Sequence, residues 1–491
     1  QKGLILGAYD GCDKGELKLT PTAKKFDQET NGKLSTLLKG ADIRLGRAEV
    51  YTNVHIDFAC VAVTGLGPEG EGIDSLESLD KCKENIRIAA GVAATNLQAN
   101  GMNSLLVEGF TNAEAAAEGA SLAVWKYQEY KNKQDQTGNV KLELYHDPDI
   151  ESFQRGLIKG EAQNLARALE ESPANRMTPS IFAQKAVDAL CACGVQVNVR
   201  DVHWMRDRKM NAFMSVAKGS CETPLLLEIG YCAGAPDEKP VVLIGKGLTF
   251  DSGGLLTKPC DNMMQHRGDM AGAAVVVAAI RCCAMLNLPF NIKGLIPLCE
   301  SMPGGLAIKP GDVVTAINGK SIRIEDTDNE GRVTMTDPLI YCTAFKPCLV
   351  ITLGTMTDMS RTIGSGCSAL FTTSDVVWRE MHRAGLETGD RVWRYPMWKY
   401  YKRMVTDHIG VDITNKGSGG GGDSCLAAAF LYEFVPPGID FCHLDITGVG
   451  MISSGVGYPY LRPGLMTGRP TRTLCQFFYQ MACPHERGDE C

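Results

Sequence analysis

The sequence has 491 residues, of which 44% are hydrophobic and 22% are charged, and its formal net charge is -7. A chain of this length can bury the cores of two or three domains, and this composition is typical of soluble globular proteins. The acidic balance provides no basic surface for nucleic acid, so we expect no nucleic-acid partner. The longest apolar run, Met270–Ile280, is shorter than a bilayer-spanning helix, so we expect no membrane partner either.

Nineteen cysteines are scattered along the chain without the paired spacing of zinc-finger ligands. Cys191, Cys193, Cys282 and Cys283 lie in apolar, predicted helical surroundings, where a reduced cysteine behaves as a small hydrophobic residue. We therefore predict reduced thiols in a reducing compartment, either the cytoplasm or the mitochondrial matrix. Interchain disulfides in a dense assembly are the alternative interpretation.

The first part of the chain alternates strand and helix patterns and predicts a small N-terminal α/β domain at residues 1–150. The predicted elements are a strand at Val54–Val63, a helix at Ser78–Asn100, a strand at Asn103–Phe110 and a helix at Asn112–Lys131. This region contains no clustered acids, bases or nucleophiles, and we interpret it as non-catalytic.

The segment Asp149–Glu171 has the period of an amphipathic helix that ends before Pro173. We interpret residues 151–172 as a helix that connects the first domain to a catalytic domain at residues 173–491. Helices and strands alternate again in that part, as in a sheet covered by helices on both faces. The predicted fold class is therefore α/β, with an N-terminal α/β domain and a larger C-terminal α/β/α domain around a central mixed, mainly parallel sheet.

A first acidic constellation follows the apolar run Val241–Ile244, which suits a strand buried on both faces. Glycines allow the backbone to turn tightly after this run, where Lys246 and Asp251 appear, and Lys258 follows seven residues later. Asp269 precedes an apolar helical segment, where free backbone N–H groups favour a carboxylate. Taken alone, Asp269 is explained by helix capping.

The most concentrated acidic run is DTDNEGR at residues 326–332. Upstream, Ser321–Ile324 alternates like a strand, and downstream, Val333–Tyr341 begins an amphipathic helix. The run is therefore a predicted strand-to-helix corner, where ligands collect in α/β folds. In extended backbone the side chains at i and i+2 share a face, so we expect Asp328 and Glu330 to point at one place. Two buried like charges are costly unless a metal compensates them.

Together the two constellations offer four carboxylates with only lysines and arginines nearby. A shared cluster would need more than one divalent cation, and oxygen-rich bridging sites hold paired metals about 3.5 to 4 Å apart. The chain has no HExxH motif and no GxSxG elbow, so neither single-zinc nor serine hydrolase chemistry is indicated. The sequence thus predicts a two-metal site formed by Asp251, Asp269, Asp328 and Glu330.

Three segments carry a resemblance to a known family: GKGLTFDSGG at 245–254, NMMQHRGDMAGAA at 262–274 and DTDNEGR at 326–332. They resemble the metal-binding core of the leucyl aminopeptidase family, the di-zinc cytosolic exopeptidases. Weaker similarity covers nearly all of residues 150–491, including HLDITGV at 443–449. The resemblance implies a metal-dependent aminopeptidase that removes the N-terminal residue of short peptides.

The resemblance also implies the ligands of two divalent ions. Asp251 and Glu330 would bridge the ions, Lys246 and Asp269 would complete one ion, and Asp328 would complete the other. The implied ions are zinc, with manganese or magnesium as alternatives at the more exchangeable site. A ligating Lys246 must be neutral, so we expect neighbouring cations and burial to depress its pKa.

Lys258 and Arg332 form the implied catalytic pair. Lys258 would stabilise the oxyanion of the tetrahedral intermediate, and Arg332, whose pKa is too high for a base, would anchor a bicarbonate ion. The alternative interpretation is that both residues only neutralise the acidic cluster. The resemblance further implies a homohexamer, a dimer of trimers.

Several positions around the implied site depart from the family pattern. The usual NTDAEGRL appears as DTDNEGRV, which adds a carboxylate at Asp326 and an amide at Asn329. His266 replaces the methionine that lines the pocket for the substrate side chain. Each change can be interpreted as drift, and the alternative is weaker or altered activity on leucyl substrates.

The implied substrate-binding loop contains Thr355, Met356 and Asp358, and Asp358 stands where a glycine is expected. A side chain at a position of close backbone approach can block substrate. The family includes insect sperm paralogues with eroded sites that serve as packing material. The second functional hypothesis is therefore a catalytically weak or inactive sperm-type paralogue with a structural role.

Overall fold

The structure is a computed structural model that describes residues 1–11, 16–357, 360–451 and 457–483, without the side chains of residues 360 and 361. The backbone divides into two compact units. The first contains Gln1–Asn164, Gly385–Gly389 and the described part of Ser453–Gly464, and the second contains the other described residues. The division falls inside the long helix after the N-terminal domain, between Asn164 and Leu165.

The first unit is an α/β domain with a mixed sheet. Its elements are the strands β1 (Lys2–Asp10), β2 (Leu17–Leu19), β3 (Ala48–His55), β4 (Phe58–Gly65), β5 (Ile73–Asp74), β6 (Leu79–Asp80), β7 (Ser104–Glu108) and β8 (Lys141–Tyr145), and the helices α1 (Pro21–Glu29), α2 (Lys33–Leu37), α3 (Lys81–Ala99) and α4 (Ala113–Val124). Helix α5 (Ile150–Glu171) begins in this unit and ends in the second.

Strand β1 occupies the centre of the first sheet, in the order β3-β4-β1-β7-β8, with β2 paired to β1. Strands β4, β1, β7 and β8 run parallel, and β3 pairs antiparallel with β4. Helix α3 begins at Lys81 because the Asp80 side chain accepts a hydrogen bond from the backbone N–H of Lys83 at 3.1 Å. Helices α3 and α4 bury alanine-rich faces in the core of this domain.

Two element boundaries of the first unit differ from the sequence prediction. The predicted single strand at Val54–Val63 is wrong, because β3 and β4 form a hairpin whose turn leaves Ile56 97% exposed. The predicted helix to Lys131 is too long, because α4 ends at Val124 and Trp125 is extended. The Trp125 carbonyl accepts a hydrogen bond from Arg462 Nε at 2.9 Å, a contact between residues distant in sequence.

The second unit contains most of the remaining elements. Its strands are β9 (Gln196–Arg200), β10 (Leu225–Cys232), β11 (Val241–Gly245), β12 (Gly247–Asp251), β13 (Asn291–Ser301), β14 (Val313–Thr315), β15 (Ser321–Arg323), β16 (Leu349–Gly354), β17 (Ser368–Thr372), β18 (Val392–Arg394), β19 (Ile413–Thr414) and β20 (Asp440–Asp445). The helices after α5 are α6 (Pro179–Cys191), α7 (Val202–Asp207), α8 (Asn211–Ala217), α9 (Ala271–Met285), α10 (Glu330–Tyr341), α11 (Ser360–Ile363), α12 (Asp375–Thr388), α13 (Lys399–Thr406), α14 (Asp423–Tyr432) and α15 (Thr471–Ala482).

The large sheet of this unit has the order β18-β17-β20-β16-β11-β13-β10-β9, with β12 paired to β13. Strands β20, β16, β11, β13 and β12 run parallel, whereas β10, β9 and β17 introduce antiparallel pairs. Every residue of β11 and β16 is buried, as is typical of strands covered on both faces. The predicted fold class, with a central mixed and mainly parallel sheet, is confirmed.

The helical stretch Met263–Met285 is long and apolar enough to cross a membrane by length and composition. It is longer than the apolar run recognised in the sequence because a 3₁₀ turn at Met263–Gly268 precedes α9. However, 89% of its most apolar window is buried inside the protein. Since the core helix of a soluble protein meets the same criteria, this stretch is only weak evidence for a membrane span.

Candidate metal centre

Two of the predicted ligands lie at the carboxyl ends of strands of the large sheet, and a third lies just before a helix. Lys246 directly follows β11, and Asp251 is the last residue of β12. Asp269 lies between the 3₁₀ turn and α9. Because β11, β13 and β16 are parallel, their carboxyl ends meet at one edge of the sheet, where ligands bind in open α/β folds.

The last two predicted ligands lie where β15 leads into α10. The extended backbone expected there is wrong, because Asp328 belongs to a 3₁₀ turn at Thr327–Asn329 and Glu330 begins α10. Asp326 caps this turn, since its Oδ1 accepts a hydrogen bond from the backbone N–H of Asp328 at 3.0 Å. The helical turn, not strand alternation, brings the two carboxylates to one side.

The structure brings the predicted carboxylates together. One oxygen each of Asp251, Asp328 and Glu330 lies within 4.8 Å of the others, which is a spacing that a metal ion can bridge. Asp269 joins them through Lys246, whose Nζ lies 2.6 Å from Asp269 Oδ2. The capping interpretation of Asp269 is wrong, because α9 has no side-chain cap and Asp269 Oδ1 instead accepts a hydrogen bond from the Thr355 hydroxyl.

A cavity of about 280 Å³ opens at this cluster. Its lining is mostly polar and charged, which suits a hydrated ionic site rather than an apolar ligand. The lining residues are Lys246, Asp251, Lys258, His266, Asp269, Asp326, Asp328, Asn329, Arg332, Thr355, Met356, Thr357, Lys416, Asp423, Thr447 and Met451.

The carboxylates have the unsatisfied oxygens that a cation would take. Glu330 is fully buried, and within the described part of the chain neither of its oxygens has a hydrogen-bond partner. Asp269 Oδ2 and Asp328 Oδ1 also lack hydrogen bonds among these residues, although each contacts a lysine amine. Burying an ionised carboxylate without a donor or counter-ion is costly, so this donor set fits divalent cations.

The lysines of the cluster contact the carboxylates directly. Lys258 Nζ lies 3.1 Å from Asp251 Oδ2 and also contacts Asp328 Oδ1. Lys246 Nζ contacts Asp269 and donates to the Thr355 carbonyl at 2.6 Å. Burial lowers the pKa of each amine, but the surrounding carboxylates outweigh burial and raise both pKa values. A neutral Lys246 therefore requires additional positive charge beside these carboxylates.

The pKa values of the carboxylates shift because these groups are buried and lie close to one another. Burial raises the pKa of Asp269 to about 7, with Asp251 adding to the rise. Burial and Asp251 likewise raise the pKa of Glu330 well above its usual value. Asp251 differs, because Lys258 and Lys246 overcome its burial and lower its pKa. With protein groups alone, the carboxyls of the cluster are thus only partly ionised. Bound cations would lower their pKa values and ionise them fully.

The Lys246 side chain packs against a glycine of α10. Gly331 follows Glu330 in α10, and a Cβ built there would lie 2.3 Å from Lys246 Cε. Real carbon atoms do not approach so closely, so any larger residue would displace the lysine side chain. Gly331 therefore leaves room for the Lys246 side chain in its present position beside Asp269.

Comparison with known proteins connects this geometry to a family. The Cytosol aminopeptidase family, catalytic domain, matches residues 164–475, and the N-terminal domain of the same family matches residues 5–134. The cytosol aminopeptidases of Bos taurus and Homo sapiens are each 42% identical over 489 residues, covering 98% of this chain and 93% of theirs. The chain belongs to the cytosol aminopeptidase family.

A solved structure supports the same assignment. The bottromycin maturation enzyme BotP in complex with Mn has a TM-score of 0.82 and 29% identity to this chain, and covers 98% of this chain and 99% of its own. The match to the catalytic domain confirms the resemblance of the three sequence segments to this family. Cytosol aminopeptidases are hydrolases that use two divalent metal ions. The unsatisfied carboxylate oxygens lie in the domain that carries the family's catalytic match.

In this cytosol aminopeptidase family member, Arg332 is buried beside the cavity. Its guanidinium donates to the Asn415 carbonyl at 2.9 Å and to Asn329 Oδ1 at 2.9 Å. Its Nε has no hydrogen-bond partner among the described residues. Burial lowers the pKa of Arg332 to about 10, although Asp445 and Asp423 oppose this effect. The amide at Asn329, a departure from the family pattern, thus helps to orient Arg332.

The predicted substrate-binding residues have different outcomes. His266, Thr355 and Met356 line the cavity, and burial lowers the pKa of His266, which favours its neutral form. Asp358 lies outside the described residues. Asp326 lines the cavity and caps the 3₁₀ turn, so the extra carboxylate has a local structural role.

Several cavity residues were not predicted from the sequence. Lys416 and Asp423 flank the glycine-rich segment GSGGGG, and Thr447 and Met451 follow β20. Asn415 also contributes, because its Oδ1 accepts from the backbone N–H of Glu325 at 2.9 Å while its carbonyl holds Arg332. Of these residues, Thr447 and Met451 follow a strand of the parallel sheet, which is where such sheets place their ligands, but that strand was not predicted from the sequence.

Proposed function

We propose that the chain hydrolyses the N-terminal peptide bond of short peptides in the cavity at residues 246–451, with two divalent ions as cofactors. The observation that carries the proposal is Glu330, a fully buried carboxylate whose oxygens have no hydrogen-bond partner among the described residues and lie beside Asp251 and Asp328. The family assignment supports the same chemistry.

We assign the ligands from their positions in the cluster and the family resemblance. By the family resemblance, Asp251 and Glu330, which share one cluster with Asp328, would serve both ions. Lys246 and Asp269, in direct contact, would complete one ion, and Asp328 would complete the other. When bound, such a pair of ions supplies hydroxide at neutral pH and polarises the scissile carbonyl. Zinc is the proposed metal, with manganese or magnesium at the more exchangeable position.

Lys258 and Arg332 perform the proposed catalytic work of the protein itself. The Lys258 amine, which carries its proton because carboxylates raise its pKa, donates to the oxyanion that forms at the scissile carbonyl. One such donor is worth about 3 to 4 kcal/mol in the transition state. By the family resemblance Arg332 would hold a bicarbonate ion, with its Nε, which has no hydrogen-bond partner among the described residues, as a free donor, and the bound ion would supply a proton acceptor there.

His266, Thr355 and Met356 form the proposed contact surface for the N-terminal residue of the peptide, together with Asp358. His266 presents a half-buried, mostly neutral imidazole where an apolar side chain would favour leucine. We therefore propose a weaker preference for leucyl substrates than in a family member with methionine at this position.

The compartment and assembly are proposed from the relatives and from the thiols. The relatives are named cytosol aminopeptidases, and every cysteine that the structure describes is free, so we propose a cytoplasmic protein, with the mitochondrial matrix as the alternative. A homohexamer, N-terminal non-catalytic residues 1–150, a connecting helix at 151–172 and catalytic residues 173–491 complete the proposal.

The decisive experiment compares the wild type with Glu330→Gln, which keeps the shape of the side chain but removes its charge. Each protein is stripped with a chelator, reloaded with zinc, analysed for bound metal and assayed on leucyl and other aminoacyl p-nitroanilides. We expect about two zinc ions per wild-type chain, fewer in the variant, and turnover only where both ions are bound. Equal metal content in the two proteins would contradict the ligand assignment.

The alternative, a packing role without catalysis, predicts a different outcome of the same assay. A wild-type protein that binds two ions and hydrolyses none of the anilides or short peptides would support the structural role. The departures at Asp326 and Asn329 do not by themselves favour it, because both side chains make ordered hydrogen bonds within the site.

A further inference from the structure

The carboxylate of Asp445 lies just outside the cavity and is not among the proposed ligands. It is the last residue of β20, it is fully buried, and it accepts five hydrogen bonds. Its Oδ1 accepts from the backbone N–H of Met356 at 3.3 Å, and from the backbone N–H and hydroxyl of Thr447 at 3.1 and 2.7 Å. Its Oδ2 accepts from the hydroxyls of Thr357 at 2.7 Å and Ser424 at 2.8 Å.

These five donors belong to three separate segments of the chain. Met356 and Thr357 follow β16, Thr447 follows β20, and Ser424 lies in the first turn of α14. The same three segments line the cavity through Met356, Thr357, Thr447 and Asp423. One buried side chain therefore joins every segment that forms this wall of the cavity.

The segment after β16 also contacts the ligand cluster. Thr355 accepts a hydrogen bond from Lys246 on its carbonyl, at 2.6 Å, and donates its hydroxyl to Asp269. Strands β16 and β20 stop pairing at Gly354 and Asp445, followed by one further backbone hydrogen bond from the Ile446 N–H to the Gly354 carbonyl at 3.0 Å. Beyond Thr355, the Met356 N–H and the Thr357 hydroxyl donate to Asp445, and the Thr357 N–H donates to the Thr447 hydroxyl at 3.4 Å. The position of Thr355 relative to Lys246 thus depends in part on Asp445.

We propose that Asp445 is a positioning residue that fixes the wall of the cavity formed by the residues after β16, the residues after β20 and the start of α14, where the peptide would bind. It holds this wall through hydrogen bonds, because all five donors are neutral and no direct ion pair to it is present among the described residues. Its charge also acts at longer range on Arg332, so the affinity for the dipeptide and KM, not kcat, report the positioning role. The inference rests on the proposed function, since it assumes that the peptide binds in this cavity.

The chemistry of the donors suggests a conservative variant. Two of them are backbone N–H groups that can only donate, and both bind Oδ1. The two groups on Oδ2 are hydroxyls, which can also accept. In Asp445→Asn, the amide oxygen can replace Oδ1 and the amide nitrogen can donate to Thr357 and Ser424, so the same bonds persist without the charge. Asp445→Ala removes all of them.

The test measures binding and turnover separately on zinc-loaded protein. The ligand for binding is a dipeptide whose scissile amide is replaced by a methylene-amine, so its affinity is measured by calorimetry without hydrolysis. We expect Asp445→Ala to weaken binding and to raise KM at least 10-fold while the zinc content stays at the wild-type level. We expect Asp445→Asn to remain within 3-fold of the wild type in both quantities.

Single hydrogen bonds provide a second measurement if Asp445→Ala does not fold. Thr357→Val and Ser424→Ala each remove one donor to Oδ2, and each should raise KM about 3-fold. Where Asp445→Ala folds, adding Thr357→Val to it should have no further effect, because the partner is already gone. A purely structural role would instead lower the melting temperature without changing KM or the affinity for the dipeptide.

Three outcomes would overturn the proposal. The first is a folded Asp445→Ala protein with wild-type affinity, and the second is damage by Asp445→Asn equal to that by Asp445→Ala. The third, where the alanine variant does not fold, is wild-type KM and affinity in both Thr357→Val and Ser424→Ala. Absence of turnover in a wild type that still binds the dipeptide contradicts the proposed peptidase alone, whereas a wild type that does not bind it contradicts both.

Discussion

Lys258 contacts two carboxylates of the cluster, so its positive charge has two explanations at the scale of single residues. As a neutralising group it would compete with cations for Asp251 and Asp328. As an oxyanion donor it would act only when the scissile carbonyl is attacked. The two explanations differ in what happens to metal affinity and to turnover when the amine is removed.

Replacing Lys258 with alanine should lower kcat about 100-fold to 1,000-fold while zinc binds at least as tightly as before, because a transition-state donor is lost and a competitor for the carboxylates is removed. Lys309→Ala is the control, since this exposed lysine pairs with Asp312 away from the cavity. Turnover is followed on Leu-p-nitroanilide and zinc affinity by competition with a chelator. Unchanged kcat in the Lys258 variant would remove this residue from the mechanism.

His266 is the second residue whose role can be isolated. His266→Met should raise kcat/KM for the leucyl anilide about 10-fold relative to a seryl anilide, because a thioether packs against leucine without desolvating an imidazole. Met264→Leu is the matched control two positions away, where the side chain is 73% exposed and does not line the cavity. An unchanged ratio of the two anilides in the His266 variant would show that this side chain does not contact the substrate.

At the scale of elements, the start of α10 determines the geometry of the site. The helix presents Glu330 from its first position and Gly331 from its second, and the glycine makes room for Lys246. The same backbone turn therefore supplies a carboxylate and the space for the amine beside it.

Gly331→Ala tests this arrangement because it opposes two effects. Alanine in a helix is favoured over glycine by about 1 kcal/mol, but here its Cβ would overlap Lys246 Cε. We expect the clash to dominate: the variant should bind fewer than two zinc ions and lose at least about 100-fold in kcat/KM, because displacement of Lys246, a proposed ligand, would cost several kcal/mol. Zinc content at the wild-type level, measured by atomic emission, would contradict the packing argument.

The sequence predicted the strand and the helix of this region, but not the conformation of the turn between them. A strand near Ser321 and a helix before Tyr341 were expected, and β15 and α10 are present. The convergence of Asp328 and Glu330 was attributed to extended backbone, whereas a 3₁₀ turn capped by Asp326 produces it. Capping competes with strand geometry through local hydrogen bonds that hydrophobic periodicity does not register.

Other boundaries depended on contacts between residues distant in sequence. The helix α4 was expected to continue to Lys131, but Trp125 leaves the helix where its carbonyl meets Arg462. The hairpin between β3 and β4 was read as one strand because its turn contains an exposed isoleucine instead of a glycine or asparagine. Lys416 and Asp423 reach the cavity, and Asn415 reaches Arg332, only through folding, so no local pattern identified them.

At the scale of the whole molecule, buried acids make stability depend on pH. Glu108 is 2% exposed in the N-terminal domain, and its Oε2 accepts from the backbone N–H of Gly7 at 2.9 Å. Burial raises its pKa to about 7 in the folded protein, against an ordinary value of 4.5 in the unfolded chain. The folded state therefore holds this proton more tightly than the unfolded state between these two values.

The sign follows from proton linkage. The contribution of Glu108 to stability is fully present below pH 4.5 and is lost as the pH rises through about 7. Glu108→Gln should remove this loss. At pH 8 the free energy of unfolding of the N-terminal domain should therefore be higher than in the wild type by up to about 3 kcal/mol, and at pH 4.5 the two proteins should differ little. The measurement is calorimetric unfolding across this range.

Glu49→Gln is the matched control, because it removes an exposed acid from β3 of the same sheet. This control should follow the wild-type pH profile. A Glu108→Gln protein with the same pH profile as the control would show that the buried carboxyl is not the group that titrates.

The buried position of Glu330, with no donor for either oxygen among the described residues, has a consequence for how such chains diverge after gene duplication. Cations bound there at a thousandfold excess over Kd would hold the native state by about 4 kcal/mol, a large part of the stability of an ordinary domain. Natural selection would then preserve these acids in a duplicate that had stopped cleaving peptides, simply to keep its product folded. Retention of the ligands in a descendant therefore records a requirement for metal, whereas the loss of Lys258 would be the earlier genetic mark of abandoned catalysis.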